Sequence, residues 1–263
     1  MTGIAVLQQH PDYVFLLFLR ISGLFIGSPV FGRKNVPNAA KIGFCAVLTL
    51  VFLSGVPAPQ VYPDSQTLLG YVFLCLRELM FGGAMGYVLT AMLELTLTAG
   101  SIIDYQIGFS MASVYDIQSN TQSPLTGSLL NYMLLLLFFS VDGHLKLIDI
   151  LHRTIEAVPI GTPVLAPDIL WAAVEVMSKS FVLAVMVSMP VLAAGLLMEF
   201  ALGATVRMVP QLNMFVVGIP VKIIVGLLVL ALSLTAFADF SNAIFSRLFD
   251  YIGALFQYLE SAS

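Results

Sequence analysis

The chain has 263 residues, of which 59% are hydrophobic and only 10% are charged, with a mean hydropathy of +0.97. Soluble globular domains carry about 25% charged residues, so the composition excludes an ordinary soluble domain and indicates an integral membrane protein. The formal net charge of −4 and the absence of a Lys/Arg run exclude a nucleic-acid-binding surface, which needs clustered cations.

Six apolar stretches follow one another along the chain and predict an all-α integral membrane fold of about six helical segments forming hairpins. A helix needs about 20 residues to cross a bilayer, so several stretches are long enough and two are short. Segments such as 133–139 lack the polar–apolar alternation of a membrane strand. The stretches are Tyr13 to Phe31, Ile42 to Val56, Leu68 to Leu93, Leu125 to Val141, Ile169 to Met198, and Leu212 to Ala238.

The last part of the chain, 239–260, predicts a separate amphipathic helix within a single membrane-embedded domain, 1–263. Asp239 or Ser241 could cap its first turn. Apolar residues then recur every three or four positions and share one face. Two interpretations stay open: an interfacial helix lying on the membrane, or a docking helix for a neighbouring subunit.

Four cations lie well inside the apolar stretches: Arg20, Arg77, Lys179 and Lys222. A charge at mid-bilayer costs about 2.5–3.5 kcal/mol even on the mildest scale. We therefore expect these side chains to face protein or water rather than lipid.

The acids near these cations suggest partners for some of them. Glu175 precedes Lys179 by four residues and can share its helix face. Glu78 follows Arg77 directly, which points the two side chains about 100° apart, so each needs a partner on another element. Arg20 has no acid nearby in sequence. We favour contacts with neighbouring subunits; the alternative is a self-contained bundle with internal ion pairs.

Two pairs of glycines spaced four apart predict close helix packing. They are Gly23 with Gly27 and Gly82 with Gly86. Small residues at this spacing let two helix backbones approach each other in a membrane.

A polar insert, 99–124, separates two apolar stretches and contains no Lys or Arg. It combines hydroxyl and amide side chains with the bulky apolar residues Phe109, Met111 and Tyr115. A loop that enters a cavity and seals it with soft side chains suits this mixture; a plain surface loop is the alternative.

No catalytic motif is present, and we expect neither enzymatic activity nor a metal or other cofactor. Asp104 and Asp116 share one predicted loop, whereas an intramembrane aspartyl protease needs two acids held rigidly by two helices. A secondary transporter or ion channel that uses Glu78, Glu94 or Asp104 as coupling groups is the alternative function.

Short strings along nearly the whole chain resemble the FliR family, the flagellar biosynthesis protein R of the type III export gate. They occur in the family's order. The strings are Arg20 to Gly23, Ser28 to Gly32, Val36-Pro37, Arg77-Glu78, Gly82-Gly83 with Gly86, Ala99-Gly100, Ile103-Asp104, Gln106 to Gly108, Asp116, Ser123-Pro124, Phe138-Phe139, Asp142 to His144, Val209 to Asn213, Gly218 to Pro220 and Lys222.

The resemblance implies a non-enzymatic subunit of an export gate in the inner membrane, at the flagellar basal body. It implies several copies each of the flagellar export proteins P and Q as partners, with protein B, and export apparatus protein A nearby. Unfolded flagellar subunits would pass through the assembly, part of whose helical spiral lies above the bilayer plane.

The same resemblance implies a plug that closes the pore, formed by the loop from Gly108 to Pro124. Its candidates for the seal are Phe109, Met111, Val114 and Tyr115, and Gly108, Asp116 and Pro124 are further candidate residues of the plug. The loop lacks the Asp-Pro pair often found in the family. The charges at Arg20, Arg77, Glu78, Glu175, Lys179 and Lys222 are the candidates for subunit assembly.

Overall fold

The computed structural model describes residues 7, 9–32, 36–55, 67–109, 124–162, 168–209 and 214–260. Within these ranges the regular elements are eight α-helices, and no strand occurs, so the all-α prediction is confirmed. The helices are α1 (Pro11–Gly27), α2 (Asn38–Gly55), α3 (Leu68–Leu93), α4 (Leu95–Ile107), α5 (Leu125–Ser140), α6 (Gly143–Ala157), α7 (Asp168–Met208) and α8 (Met214–Glu260).

Four segments of the described chain are long and apolar enough to cross a membrane. They are Asn38–Gly55, Leu68–Ile107, Leu170–Met208 and Val216–Ala254, and α5 is a shorter apolar helix. The chain is therefore an integral membrane protein, as its composition predicts.

The two last helices are longer than a bilayer requires. α7 has 41 residues and α8 has 47, which at 1.5 Å per residue gives about 60 and 70 Å. Exposed apolar side chains on α7 extend from Leu170 to Met208, which are 73% and 83% exposed. The hydrocarbon layer is only about 30 Å thick, and a tilt of about 40° does not close this gap.

The polar insert begins as a helix rather than a loop. Residues 99–107 belong to α4, which ends at Ile107. Ile103 and Ile107 are buried, whereas Ser101 and Tyr105 are exposed. An amphipathic helix with a polar outer face has the composition of a loop, which is why the sequence predicted one.

The C-terminal segment is not a separate helix. α8 runs through Asp239 without a break, and the Ser241 hydroxyl donates to the Ala238 carbonyl at 2.6 Å instead of capping a helix start. On its apolar face Ile244, Leu248 and Ile252 are fully buried. These side chains are already covered by the chain itself, so they are not free to bind a membrane surface or another subunit.

The chain divides into two compact units. The first comprises residues 1–92, 139–177 and 246–263, and the second comprises 93–138 and 178–245. Leu16, Met85 and Leu147 belong to the core of the first, and Ile103, Phe138 and Leu183 to the core of the second. The interpretation of 1–263 as one domain stays a prediction.

Candidate functional site

The C-terminal end of α4 lies directly before the proposed plug. Gly108 has a φ of 98° and donates its N–H to the Asp104 carbonyl at 3.0 Å. This left-handed conformation suits glycine and ends the helix. Phe109 follows, half-buried, and Pro124 precedes α5. Four candidates within the loop lie outside the described residues: Met111, Val114, Tyr115 and Asp116.

Asp104 joins the two ends of the loop. Its side chain is buried, and both carboxylate oxygens accept the Thr126 backbone N–H at 3.2 Å. Thr126 is in the first turn of α5, where backbone N–H groups have no partner within the helix. Nearby, a Cβ on Gly100 would overlap with the backbone of Gly127. α4 and α5 are thus held together beside both ends of the loop.

The side chains of Gln106 and Ile107, in the last turn of α4, pack against glycines on α7 and α8. A Cβ at Gly195 on α7 would lie 2.6 Å from Cγ of Gln106. A Cβ at Gly226 on α8 would lie 2.5 Å from Cγ1 of Ile107. We call these two positions the glycine notches. They leave no room for a larger residue, so they position the C-terminal end of α4 against α7 and α8.

The first unit contains a fully buried ion pair between α1 and α3. Nε of Arg20 donates to Oε2 of Glu78 at 2.6 Å, and Nη2 donates to Oε1 at 3.1 Å. Both side chains have 0% exposure. The guanidinium also stacks on Phe81, 4.4 Å from the ring centroid. Arg20 therefore has its acid inside the chain, 58 positions away.

The same pair binds the backbone where α6 ends. Nη1 of Arg20 donates to the carbonyls of Thr154 at 3.2 Å and Val158 at 2.8 Å. Oε1 of Glu78 accepts the Gly161 N–H at 2.6 Å. The Thr154 carbonyl also accepts the Val158 N–H at 2.9 Å, so the pair adds to the hydrogen bonds of this turn and ties it to α1 and α3.

The other assembly candidates lie nearer the surface. Nζ of Lys222 and Oε1 of Glu199 are 2.5 Å apart, with side chains 21% and 47% exposed. Arg20 and Lys222 therefore form ion pairs within the chain, as the self-contained alternative predicts. The side chains of Arg77, Glu175 and Lys179 are exposed on its surface.

The close packing predicted from the glycine spacing is confirmed. A Cβ on Gly23 would lie 2.5 Å from the Leu79 carbonyl, and one on Gly27 would lie 3.2 Å from the Gly86 backbone. The two glycine pairs face each other, so α1 and α3 touch through their backbones beside Arg20 and Glu78.

Comparison with known proteins gives a match over most of the chain. The family of bacterial export proteins, family 1, matches residues 13–248. The chain belongs to this family. The matched residues include both the Arg20–Glu78 pair and the end of α4.

Several relatives of this family member are named flagellar biosynthetic protein FliR. The protein of Bacillus subtilis strain 168 is 34% identical over 245 residues, covering 92% of this chain and 93% of its own. That of Escherichia coli K12 is 30% identical over 255 residues, with 96% and 97% covered. That of Caulobacter vibrioides is 28% identical over 223 residues, with 85% and 88% covered.

Sequence reasoning did not find the role of Asp104 or the glycine notches. The sequence suggests Asp104 only as a coupling or catalytic acid, because its contact with Thr126 joins residues that are 22 positions apart. Gly195 and Gly226 stand alone in apolar helices, and no spacing marks them. One pattern was available: the exposed residues of α4 recur every three or four positions.

Proposed function

We propose that this chain is a non-enzymatic core subunit of the flagellar type III protein export gate. The observation that carries the proposal is the alignment with flagellar biosynthetic proteins over 92% and 96% of the chain in the first two relatives. Its place would be the inner membrane, at the flagellar basal body. It would help to form and close the channel for unfolded flagellar subunits.

Two structural features support membership of an assembly. The exposed apolar surface of α7 extends over about 57 Å, from Leu170 to Met208, which is more than a bilayer covers. Arg77 and Lys179 are exposed within candidate membrane spans. Both features need protein neighbours, and the export proteins P, Q and B are the partners we propose, with protein A nearby.

The loop from Gly108 to Pro124 is our candidate for the plug. Its two ends leave helices that are fixed by Asp104 and by the glycine notches. A closure element needs such rigid supports, because a loop with loose ends could not be positioned over a pore. Phe109 is the sealing candidate among the described residues.

A transporter that uses intramembrane acids is less well supported. Two of its three coupling candidates are engaged within the chain: Glu78 by Arg20 and Gly161, and Asp104 by Thr126. A coupling acid has to exchange its partner during transport, and both of these are committed to helix ends.

The test is purification of the tagged chain from membranes in mild detergent, with its companions identified by mass. We expect the other export proteins to be recovered with it. Arg77→Leu should reduce their recovery severalfold. Arg153→Leu is the matched control, because Arg153 lies outside the candidate spans and pairs with Asp149 on the surface of α6. A monodisperse chain without companions that moves small solutes would overturn the proposal.

A further inference from the structure

The exposed face of α4 is polar along its whole length. Its members are Glu94, which immediately precedes the helix, then Thr98, Ser101 and Tyr105. The spacings of four, three and four place them within an arc of about 60° on a helix with 3.6 residues per turn. Tyr105 is 77% exposed. We call these four residues the polar stripe.

The opposite face of α4 is apolar and buried. Ala99 is 0% exposed, and Ile103 and Ile107 are each 1% exposed. The exposed face of helix α2, another candidate span, is apolar instead. The side chains of Ile42, Val47 and Leu50 on this face are more than half exposed. α2 therefore has the surface of a helix that meets lipid, and α4 has the surface of a helix that meets water.

Lipid is a poor neighbour for the polar stripe. α4 belongs to the 40-residue apolar segment Leu68–Ile107. An ionised side chain at membrane depth costs about 2.5–3.5 kcal/mol, and a hydroxyl without a partner adds about 1–3 kcal/mol. Glu94, Thr98 and Tyr105 together make contact with acyl chains unfavourable.

A one-residue interruption of the helix at Glu94 supports the same conclusion. α3 ends at Leu93 and α4 begins at Leu95. The Leu93 carbonyl accepts the Thr96 hydroxyl and the Asn131 amide, each at 3.1 Å. Interrupted helices occur at membrane depth only where they are buried in protein or line a water-filled cavity. Glu94 is exposed at this break, which favours the second environment.

We propose that the polar stripe lines the aqueous conduit of the gate and contacts the backbone of the polypeptide in transit. This rests on the proposed function. The stripe is about 16 Å long, which matches about five residues of extended chain. Its carboxylate and hydroxyl groups exchange hydrogen bonds with any peptide group, so contact is independent of sequence. It ends one turn before Gly108, where the proposed plug begins.

The experiment is cysteine labelling in membranes that contain the full complex. The background carries Cys45→Ala and Cys75→Ala. Single cysteines replace Glu94, Thr98, Ser101 or Tyr105, and a charged, membrane-impermeant methanethiosulfonate is applied. Thiolates form in water and not in acyl chains or a packed core. We expect labelling of the stripe at least tenfold faster than of two controls, Leu50→Cys on the exposed face of α2 and Ile103→Cys on the buried face of α4.

A second measurement tests contact with the substrate. When export is arrested with a fused, folded domain on the substrate, labelling of the stripe should fall severalfold and the controls should not change. Stripe cysteines that react no faster than Leu50→Cys, in complexes recovered intact, would overturn the inference and leave the proposed function standing. Failure to recover any complex from the parent background would overturn both. The four cysteine positions are tested separately, so if one variant does not assemble, the other three still test the inference.

Discussion

Arg20 shows how one buried cation can hold three parts of a membrane protein together. Its guanidinium binds Glu78 on α3 and two carbonyls at the end of α6, and it lies against Phe81. Every polar contact it makes replaces one that water would otherwise provide. This accounts for a charge with 0% exposure, and it makes Arg20 an internal fold determinant rather than an assembly contact.

We predict that Arg20→Leu lowers the free energy of unfolding by about 3–5 kcal/mol, because it leaves the Glu78 carboxylate buried without its partner. Arg20→Lys should recover little, since a point charge cannot bind the carboxylate and the carbonyls together. The double variant Arg20→Leu/Glu78→Leu should be more stable than Arg20→Leu alone. Thermal unfolding in detergent measures this, with Arg153→Leu as the surface control. Equal stability of Arg20→Leu and Arg153→Leu would contradict it.

At the scale of elements, α4 is positioned by its contacts rather than by its own length. It has 13 residues, which is about the length at which an isolated helix is marginal in water. Asp104 ties it to α5, and Gln106 and Ile107 enter the glycine notches of α7 and α8. The position of the proposed plug therefore depends on two residues that carry no side chain.

Alanine at a glycine notch should destabilise the protein, although alanine has a higher helix propensity than glycine. Alanine normally stabilises a helix by about 1 kcal/mol relative to glycine. Gly195→Ala should instead destabilise the protein by about 1–3 kcal/mol, because its Cβ overlaps with Gln106. Gly203→Ala on the same helix, with nothing within 4 Å, should be neutral or stabilising. Unfolding in detergent compares the two.

The rescue variant makes this prediction specific. Gln106→Ala removes the side chain that enters the notch, so it should restore part of the stability lost in Gly195→Ala. If the double variant is as unstable as the sum of the two single ones, the contact is not the cause. Gly226→Ala and Gly253→Ala form the equivalent pair on α8, because Gly253 also has open space around it.

For the molecule as a whole, the length and the exposed surface of its two last helices indicate which environment surrounds it. α7 and α8 are about twice as long as the hydrocarbon layer is thick, and exposed apolar side chains occur along α7 from Leu170 to Met208. A bilayer covers only part of this surface. An assembly that extends beyond the membrane would cover the rest, as the export-gate proposal requires.

Closure of the pore is also a property of the assembly. Deletion of Gly108 to Gln122 should make membranes that contain the complex leaky to small ions, because the proposed plug is removed. The same deletion without the companion proteins should cause no leak, since no pore is formed. Ion flux into vesicles measures both. An intact complex with the deletion and no added leak would remove the plug assignment.

Composition and hydrophobic periodicity predict the class of the protein and most of its helices. Apolar content and periodicity are local properties, so they predict where helices form without knowledge of their neighbours. The glycines at 23 and 27, and at 82 and 86, also predicted close packing. α6 was missed because its charged residues, such as Lys146 and Asp149, give it no apolar run.

Which side chains contact each other depends on the folded arrangement of the helices. Glu78 is the partner of Arg20 although 58 positions separate them, and Gly195 faces Gln106 although the two belong to different helices. Such contacts depend on how helices are placed side by side, which residue spacing within one helix does not encode. The polar insert shows both limits: its composition predicted a loop, and the fold shows that its first part is a helix.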